Sequence, residues 1–297
     1  MTEFKCGYCG IVGRPNAGKS TLMNRLCGEQ VAIVTDKPQT TRDMITGIKT
    51  TKEAQIIFLD TPGLHESQKA LNVKMIKAAE EAAKEADLLL VLCDPTQERP
   101  DADARIAEKM VASGKPVIAA VNKIDCVAKE TILPLMKMFA DAGITDIYPI
   151  SAATGEGVEE LEKGILAKLP AGPQLFPEDQ ITDQNERFLA SEMIREKIFL
   201  FTHLEVPYAS MVSVEEYKER SEKLTAVRAT IFVEKESQKG ILIGQGGAMI
   251  KRIGQAARES LEQRFGRKFY LELSVKTRKD WTRDEGFLKK MDSAYKG

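Results

Sequence analysis

Residues 13–20 read GRPNAGKS, an instance of G-x-x-x-x-G-K-[ST] that few folds can accommodate. An apolar run ends just before it, at Val12, and a helix-forming run, 21–26, begins just after it. The local order is therefore strand, glycine loop, helix, the context in which this pattern cradles phosphate. Gly13 and Gly18 let the backbone curl tightly. Arg14, Pro15, Asn16 and Ala17 complete the turn, so that N–H groups and the helix N-terminus, opened by Thr21, surround phosphate oxygens. Lys19 is expected to add a point charge between β- and γ-phosphates, and the Ser20 hydroxyl to ligate Mg²⁺.

Further motifs follow other apolar runs in a fixed order. Residues 60–63, DTPG, end the run QIIFL at 55–59; Asp60 suits a water-mediated Mg²⁺ contact, and Thr61 and Pro62 lead to Gly63, whose N–H can reach a γ-phosphate. Residues 122–125, NKID, select the base. Asp125 can accept two hydrogen bonds from guanine N1–H and its 2-amino group, which adenine cannot offer, and an unpaired carboxylate would penalise adenine. Asn122 precedes it, and the aliphatic stem of Lys123 is expected to cover the ring face. In residues 151–157, SAATGEG, backbone N–H groups of Ser151 and Ala152, followed by Ala153, are expected to hold the base carbonyl and support Asp125. A metabolic nucleotide kinase sharing the phosphate loop would have no use for NKID and DTPG together.

The order GRPNAGKS, QTTRD, DTPG, NKID, SA resembles that of the translation-factor-related GTPases. The resemblance implies a Ras-like G domain: a mostly parallel sheet with helices on both faces. It also implies that the threonine preceding Arg-Asp in the first switch reaches Mg²⁺ and the γ-phosphate. Thr41 matches it, and Thr40 is the adjacent alternative. Where Ras-like proteins place a water-orienting Gln, this chain has Leu64, so slow intrinsic hydrolysis is expected. In relatives with that replacement a loop Asn helps bind K⁺, and Asn16 stands at the matching position. K⁺ stimulation is implied by the resemblance, while Asn16 shaping the turn is the plain alternative.

The rest of the chain reads as two domains with a linker: 1–170, 171–183 and 184–297. Apolar runs at 10–12, 55–59, 87–93, 115–121 and 146–150 alternate with helical stretches such as 71–85 and 102–113, as in parallel-sheet proteins. Residues 169–183, LPAGPQLFPEDQITD, hold three prolines and fit no regular element. No run of about 18 apolar residues occurs and the first eight residues are too polar for a secretory signal, which points to a cytoplasmic protein. Cys6 and Cys9 have no second pair to complete a zinc site; with Cys27, Cys93 and Cys126, set in apolar surroundings, they read as reduced thiols. Net charge is only −1, but residues 239–297 carry 14 Lys or Arg against 7 Asp or Glu. That suggests a localised polyanion contact, or a solvated cationic face.

Beyond the linker a helix at 186–201 and strands near 209–214, 226–234 and 268–275 frame residues 244–247, GQGG, between ILI and AMIKRI. This resembles a KH module, an α+β fold whose G-x-x-G loop holds successive phosphates of single-stranded RNA. Gly244, Gln245, Gly246 and Gly247 match the loop. Ile241, Ile243, Ile250 and Ile253 supply a groove or the core behind it, and Lys239, Lys251 and Arg252 compensate for the lack of Lys or Arg within the loop. The whole chain resembles the Era family. That resemblance implies a GTPase that binds the 3′ region of small-subunit ribosomal RNA and assists maturation of the small ribosomal subunit; with no stable protein partner legible, a monomer is expected. The resemblance further implies peripheral association, in some members, with the inner face of the cell membrane. The rival reading is an RNA-binding assembly protein that keeps GTP as a structural ligand without turnover. The basic tail 281–296 is expected to be solvated.

Overall fold

A computed structural model describes residues 3–38, 40–63, 80–98 and 100–293. Leu64, His65 and most of the helical stretch expected at 71–85 lie outside the described residues. The chain forms two compact units, divided between Asp183 and Gln184.

The first unit is built on a six-stranded sheet in the order β2-β3-β1-β4-β5-β6. Its strands are β1 (Lys5–Gly13), β2 (Ile45–Thr50), β3 (Ala54–Asp60), β4 (Leu88–Cys93), β5 (Val117–Val121) and β6 (Ile147–Pro149). All neighbours are parallel except β2 and β3, which form an antiparallel pair at one edge. Every residue of β3 and β4 is buried, the signature of a sheet covered on both faces; each buried Leu contributes about 2 kcal/mol by removal from water. Helices α2 (Pro100–Val111) and α3 (Ile132–Asp141) cover one face, where Ala107, Met110 and Phe139 meet Leu89, Val91 and Val121. Helix α1 (Lys19–Cys27) packs on β1 to β3, and α4 (Val158–Lys168) packs on β5.

Residues 171–183 form no helix or strand, yet they run along this unit rather than free of it. Gln55, fully buried in β3, accepts from the N–H groups of Leu175 and Phe176 and donates to Phe176 O. Ile48 N–H donates to Ile181 O, and the Thr182 hydroxyl to Thr46 O, so the segment covers the open edge at β2. All five cysteines are free thiols. Burial pushes Cys9 and Cys27 up to about 12, whereas Cys126 is exposed beside Asp125 and not in the apolar surroundings expected of it.

The second unit has α5 (Glu186–Phe201), β7 (Met211–Ser221), β8 (Leu224–Val233), α6 (Glu236–Ile243), α7 (Ala248–Phe265), β9 (Lys268–Thr277) and α8 (Glu285–Ser293). The Asn185 side chain caps α5 by accepting from Phe188 N–H at 2.8 Å. Strand β8 pairs antiparallel with β7 and parallel with β9, and one sheet face packs on the helices through Ile194, Ile198, Ile231, Ile253 and Leu261. The basic tail is not simply solvated. Trp281 is fully buried and its indole N–H donates to Ala209 O at 2.9 Å; Phe287, Leu288 and Met291 are buried too, leaving the lysines of α8 outside. Apolar spacing within the charged run is what turns one side of α8 inward.

Candidate functional site

The four motifs of the first unit converge at the C-terminal ends of parallel strands, where open α/β sheets bind ligands. A cavity of about 340 Å³ opens there, lined by Pro15, Asn16, Gly18–Thr21, Lys123, Gly63, Thr40, Thr41 and Ile33–Asp36. Gly13 approaches β4 so closely that a Cβ would sit 2.5 Å from Leu92 O, and one on Gly63 would lie 2.6 Å from Pro15 Cα. These glycines permit backbone contact, and Gly18, at φ 94°, caps α1 in a left-handed conformation. Ala17 and Pro62 are buried, and the buried Thr61 hydroxyl donates to Ile11 O, tying DTPG back to β1.

Lys19 is buried, its ammonium donating to Gly13 O and Arg14 O. Burial lowers its pKa, against the pull of Asp60; burial likewise raises that of Asp60, offset by Lys19 and by the Ser20 and Thr41 hydroxyls. Ser20 Oγ donates to Asp60 Oδ2 at 2.5 Å and lies 3.0 Å from Thr41 Oγ1, which is itself 3.4 Å from Asp60 Oδ2. Asp60 Oδ1 is buried with no hydrogen-bond partner among the described residues. Three oxygen donors and one orphaned carboxylate oxygen fit a small hard dication. Thr40 takes no part: its hydroxyl meets Thr35 Oγ1 and donates to Lys37 O, which separates the two threonines that the sequence leaves equivalent.

Behind NKID, Asn122 bridges two motifs, donating to Ala17 O and accepting from Ala152 N–H. Asp125 is exposed, and the hydroxyl of Ser151 and the thiol of Cys126 beside it hold its carboxyl below the usual range. One expectation needs correction. Ser151 N–H donates to Glu156 O and Ala152 N–H to Asn122, so both are already committed within the protein. Asn16 has φ 62° and its Nδ2 donates to Asp36 O.

Sequence reasoning missed Arg25, whose guanidinium donates to Ala152 O and Ala153 O, and Asn24, whose side chain fixes Val31 and Ala32 ahead of the cavity wall at Ile33. Neither belongs to a motif; both follow only from the turn of α1. Asp94 and Gln97 were also missed, although residues 94–97, DPTQ, carry the signal of a polar turn after a buried strand.

In the second unit Gly244 (φ 72°) brings α6 onto α7: a Cβ there would lie 2.8 Å from Met249 N. Gln245 and Gly246 are exposed, and Gly246 and Gly247 have φ 57° and 80°. Ile243 and Ile250 are half-buried beside the loop, whereas Ile253 belongs to the core and Ile241 faces solvent. Lys251 is exposed. Lys239 lies 3.7 Å from Glu236, and the guanidinium of the exposed Arg252 stacks on Phe201 at 4.2 Å.

A family model described as 50S ribosome-binding GTPase matches residues 8–123, and one described as KH domain matches 205–282. Fold and site thus define a P-loop GTPase carrying a C-terminal KH domain. GTPase Era of Syntrophus aciditrophicus is 48% identical over 96% of this chain and 94% of its own, and that of Geobacter metallireducens 46% identical over 97% of both. A crystal structure of Era with MgGDPNP and nucleotides 1506–1542 of 16S ribosomal RNA superposes with TM-score 0.92 at 42% identity, covering 97% of this chain and 98% of that one. A variant of Aquifex aeolicus Era bound to GDP.AlF4⁻ gives 0.92 at 41% identity, covering 97% and 99%. The chain belongs to the Era family of GTPases.

Proposed function

We propose that this GTPase uses its nucleotide state to govern binding of the 3′ region of small-subunit ribosomal RNA, and thereby assists maturation of the small ribosomal subunit. The observation that carries the nucleotide half is the meeting of Ser20, Thr41 and Asp60 around the orphaned Asp60 Oδ1, beside a buried Lys19. Ser20 and Thr41 would hold Mg²⁺ directly and Asp60 through water. When bound, the ion neutralises charge on the β- and γ-phosphate oxygens. The loop residues 13–18 and Lys19 cradle the phosphates; Asp125 reads guanine while Lys123 covers its ring. Ala153 N–H takes over the base carbonyl, since Ser151 and Ala152 N–H are engaged. Asn16 commits its nitrogen to Asp36 O and offers its amide oxygen to K⁺.

The RNA half rests on the exposed G-x-x-G loop, with Ile243 and Ile250 as the apolar groove and Lys251 as the cation at its side, supported by the Era complex with 16S ribosomal RNA. We place the protein in the cytoplasm as a monomer whose membrane contact is peripheral; among the described residues no helix is long and apolar enough to cross a membrane. The test of the nucleotide half is single-turnover GTP hydrolysis with and without Mg²⁺ and K⁺. Thr41→Ala should slow the Mg²⁺-dependent rate by about 100-fold, the scale of one lost contact to transition-state charge, and Thr40→Ala far less. Equal rates for the two variants would refute the assignment.

A further inference from the structure

Asp94 opens the turn after β4, outside every motif assigned above, and is 4% exposed. Its Oδ2 accepts from Lys123 Nζ at 2.6 Å and from Gln97 Nε2 at 3.3 Å, while Oδ1 accepts from the Thr96 N–H and hydroxyl. Gln97 Nε2 also donates to Pro15 O at 3.0 Å, in the middle of the phosphate loop. One residue on, Glu98 O accepts from Arg14 Nη1, a second tie between the same turn and the same loop. A single buried carboxylate oxygen therefore joins the NKID lysine to the loop that wraps the phosphates. Burial opposes the charge on Asp94, but Lys123 and Thr96 hold its carboxyl below the usual range.

Lys123 needs such an anchor. Among the described residues it is one of few non-glycines with a left-handed backbone, φ 60°, and its side chain is a third exposed. A lysine stem left to rotate would have to be ordered at the moment a base slides beneath it, and that entropy would be charged to binding. Held at Nζ, the stem is already fixed in the wall of the cavity that it lines.

We propose that Asp94 is a positioning residue for nucleotide binding, fixing Lys123 over the base and, through Gln97, the phosphate loop at Pro15. It touches neither base nor phosphate and acts through those two. This rests on the assignment of Lys123 to the guanine face.

The test is a double-mutant cycle on the full chain, with fluorescent GDP in Mg²⁺, using Asp94→Asn, Lys123→Ala and the pair. Asp94→Asn keeps an acceptor for Thr96, so the turn folds. Its GDP affinity should fall about 5- to 10-fold, the entropy of one freed long side chain, mainly through faster dissociation. KM for GTP should rise by a similar factor with kcat at saturation nearly unchanged, because Ser20, Thr41 and Asp60 are untouched. In the Lys123→Ala background the Asp94 change should add only the smaller loss that runs through Gln97, the same loss that Gln97→Ala gives on its own. Losses that multiply in full in the pair, or an Asp94→Asn protein that melts earlier yet binds GDP as the wild type does, would overturn the proposal. If Lys123→Ala itself leaves GDP affinity unchanged, the placement of Lys123 on the base fails first, and the proposal falls with it.

Discussion

Asn122 occupies the space that a side chain on Gly18 would need: a Cβ on Gly18 would lie 2.2 Å from Asn122 Nδ2, the atom that donates to Ala17 O. The GRPNAGKS loop and the NKID and SAATGEG loops are thus locked together by one buried amide. Gly18→Ala should reduce GDP affinity by about 100-fold or more, since both the left-handed φ and the Asn122 contact are lost. Asn122→Ala, which breaks two buried hydrogen bonds, should cost the first unit about 2 to 3 kcal/mol. Urea titration followed by far-ultraviolet circular dichroism, with GDP titration alongside, checks both.

Asp103 gives the first unit a pH dependence of known sign. The residue is 3% exposed, and burial raises its pKa to about 6 although Arg14 lies 3.3 Å away and pulls it down. A carboxyl that holds its proton more tightly when folded stabilises the fold below the unfolded value near 4, and that contribution is lost as pH rises through about 6. Relative to Asp103→Asn, the wild type should therefore lose roughly 1 to 2 kcal/mol between pH 4.5 and 7. A difference in stability that stays flat with pH, or grows in the other direction, would contradict it.

Trp281 is the only tryptophan in the chain and is wholly buried in the second unit, so its fluorescence reports on that unit alone. Emission should be blue-shifted in the native protein and shift red only when the KH unit melts. Trp281→Phe loses the bond to Ala209 O and part of the ring volume, and should lower that unit's stability by about 1 to 3 kcal/mol, as followed by circular dichroism.

Gly246 offers a substitution that separates RNA binding from folding. A Cβ there meets nothing within 4 Å, and φ 57° is a conformation that Asp tolerates. Gly246→Asp should keep the melting temperature within a few degrees while weakening a small-subunit 3′-end oligonucleotide by about 10-fold or more, because it puts a negative charge on the loop proposed to hold RNA phosphates. Gly244→Ala, in contact with Met249, should unfold the helix junction instead.

Much of this protein is legible in its sequence because the informative residues are local. GRPNAGKS, DTPG and NKID each end a buried strand, and that adjacency alone carries them to one end of the sheet. Strand β2 escaped notice because ITGIKT is short and half polar; its pairing with β3 is a tertiary fact. Thr40 and Thr41 are equivalent in sequence and become distinct only when β3 brings Asp60 beside one of them. The commitments of Ser151 and Ala152 N–H, the stack of Arg252 on Phe201 and the burial of Trp281 depend on partners 5 to 72 residues away, which no spacing rule reveals.

The most direct measurement is the affinity of the full chain for an oligonucleotide from the 3′ end of small-subunit ribosomal RNA, at one fixed salt concentration, with GDP and with a non-hydrolysable GTP analogue. Binding at least about 5-fold tighter in the GTP-like state is expected, the low end of an allosteric coupling. Equal affinity in the two states would contradict the coupling and leave two independent modules on one chain.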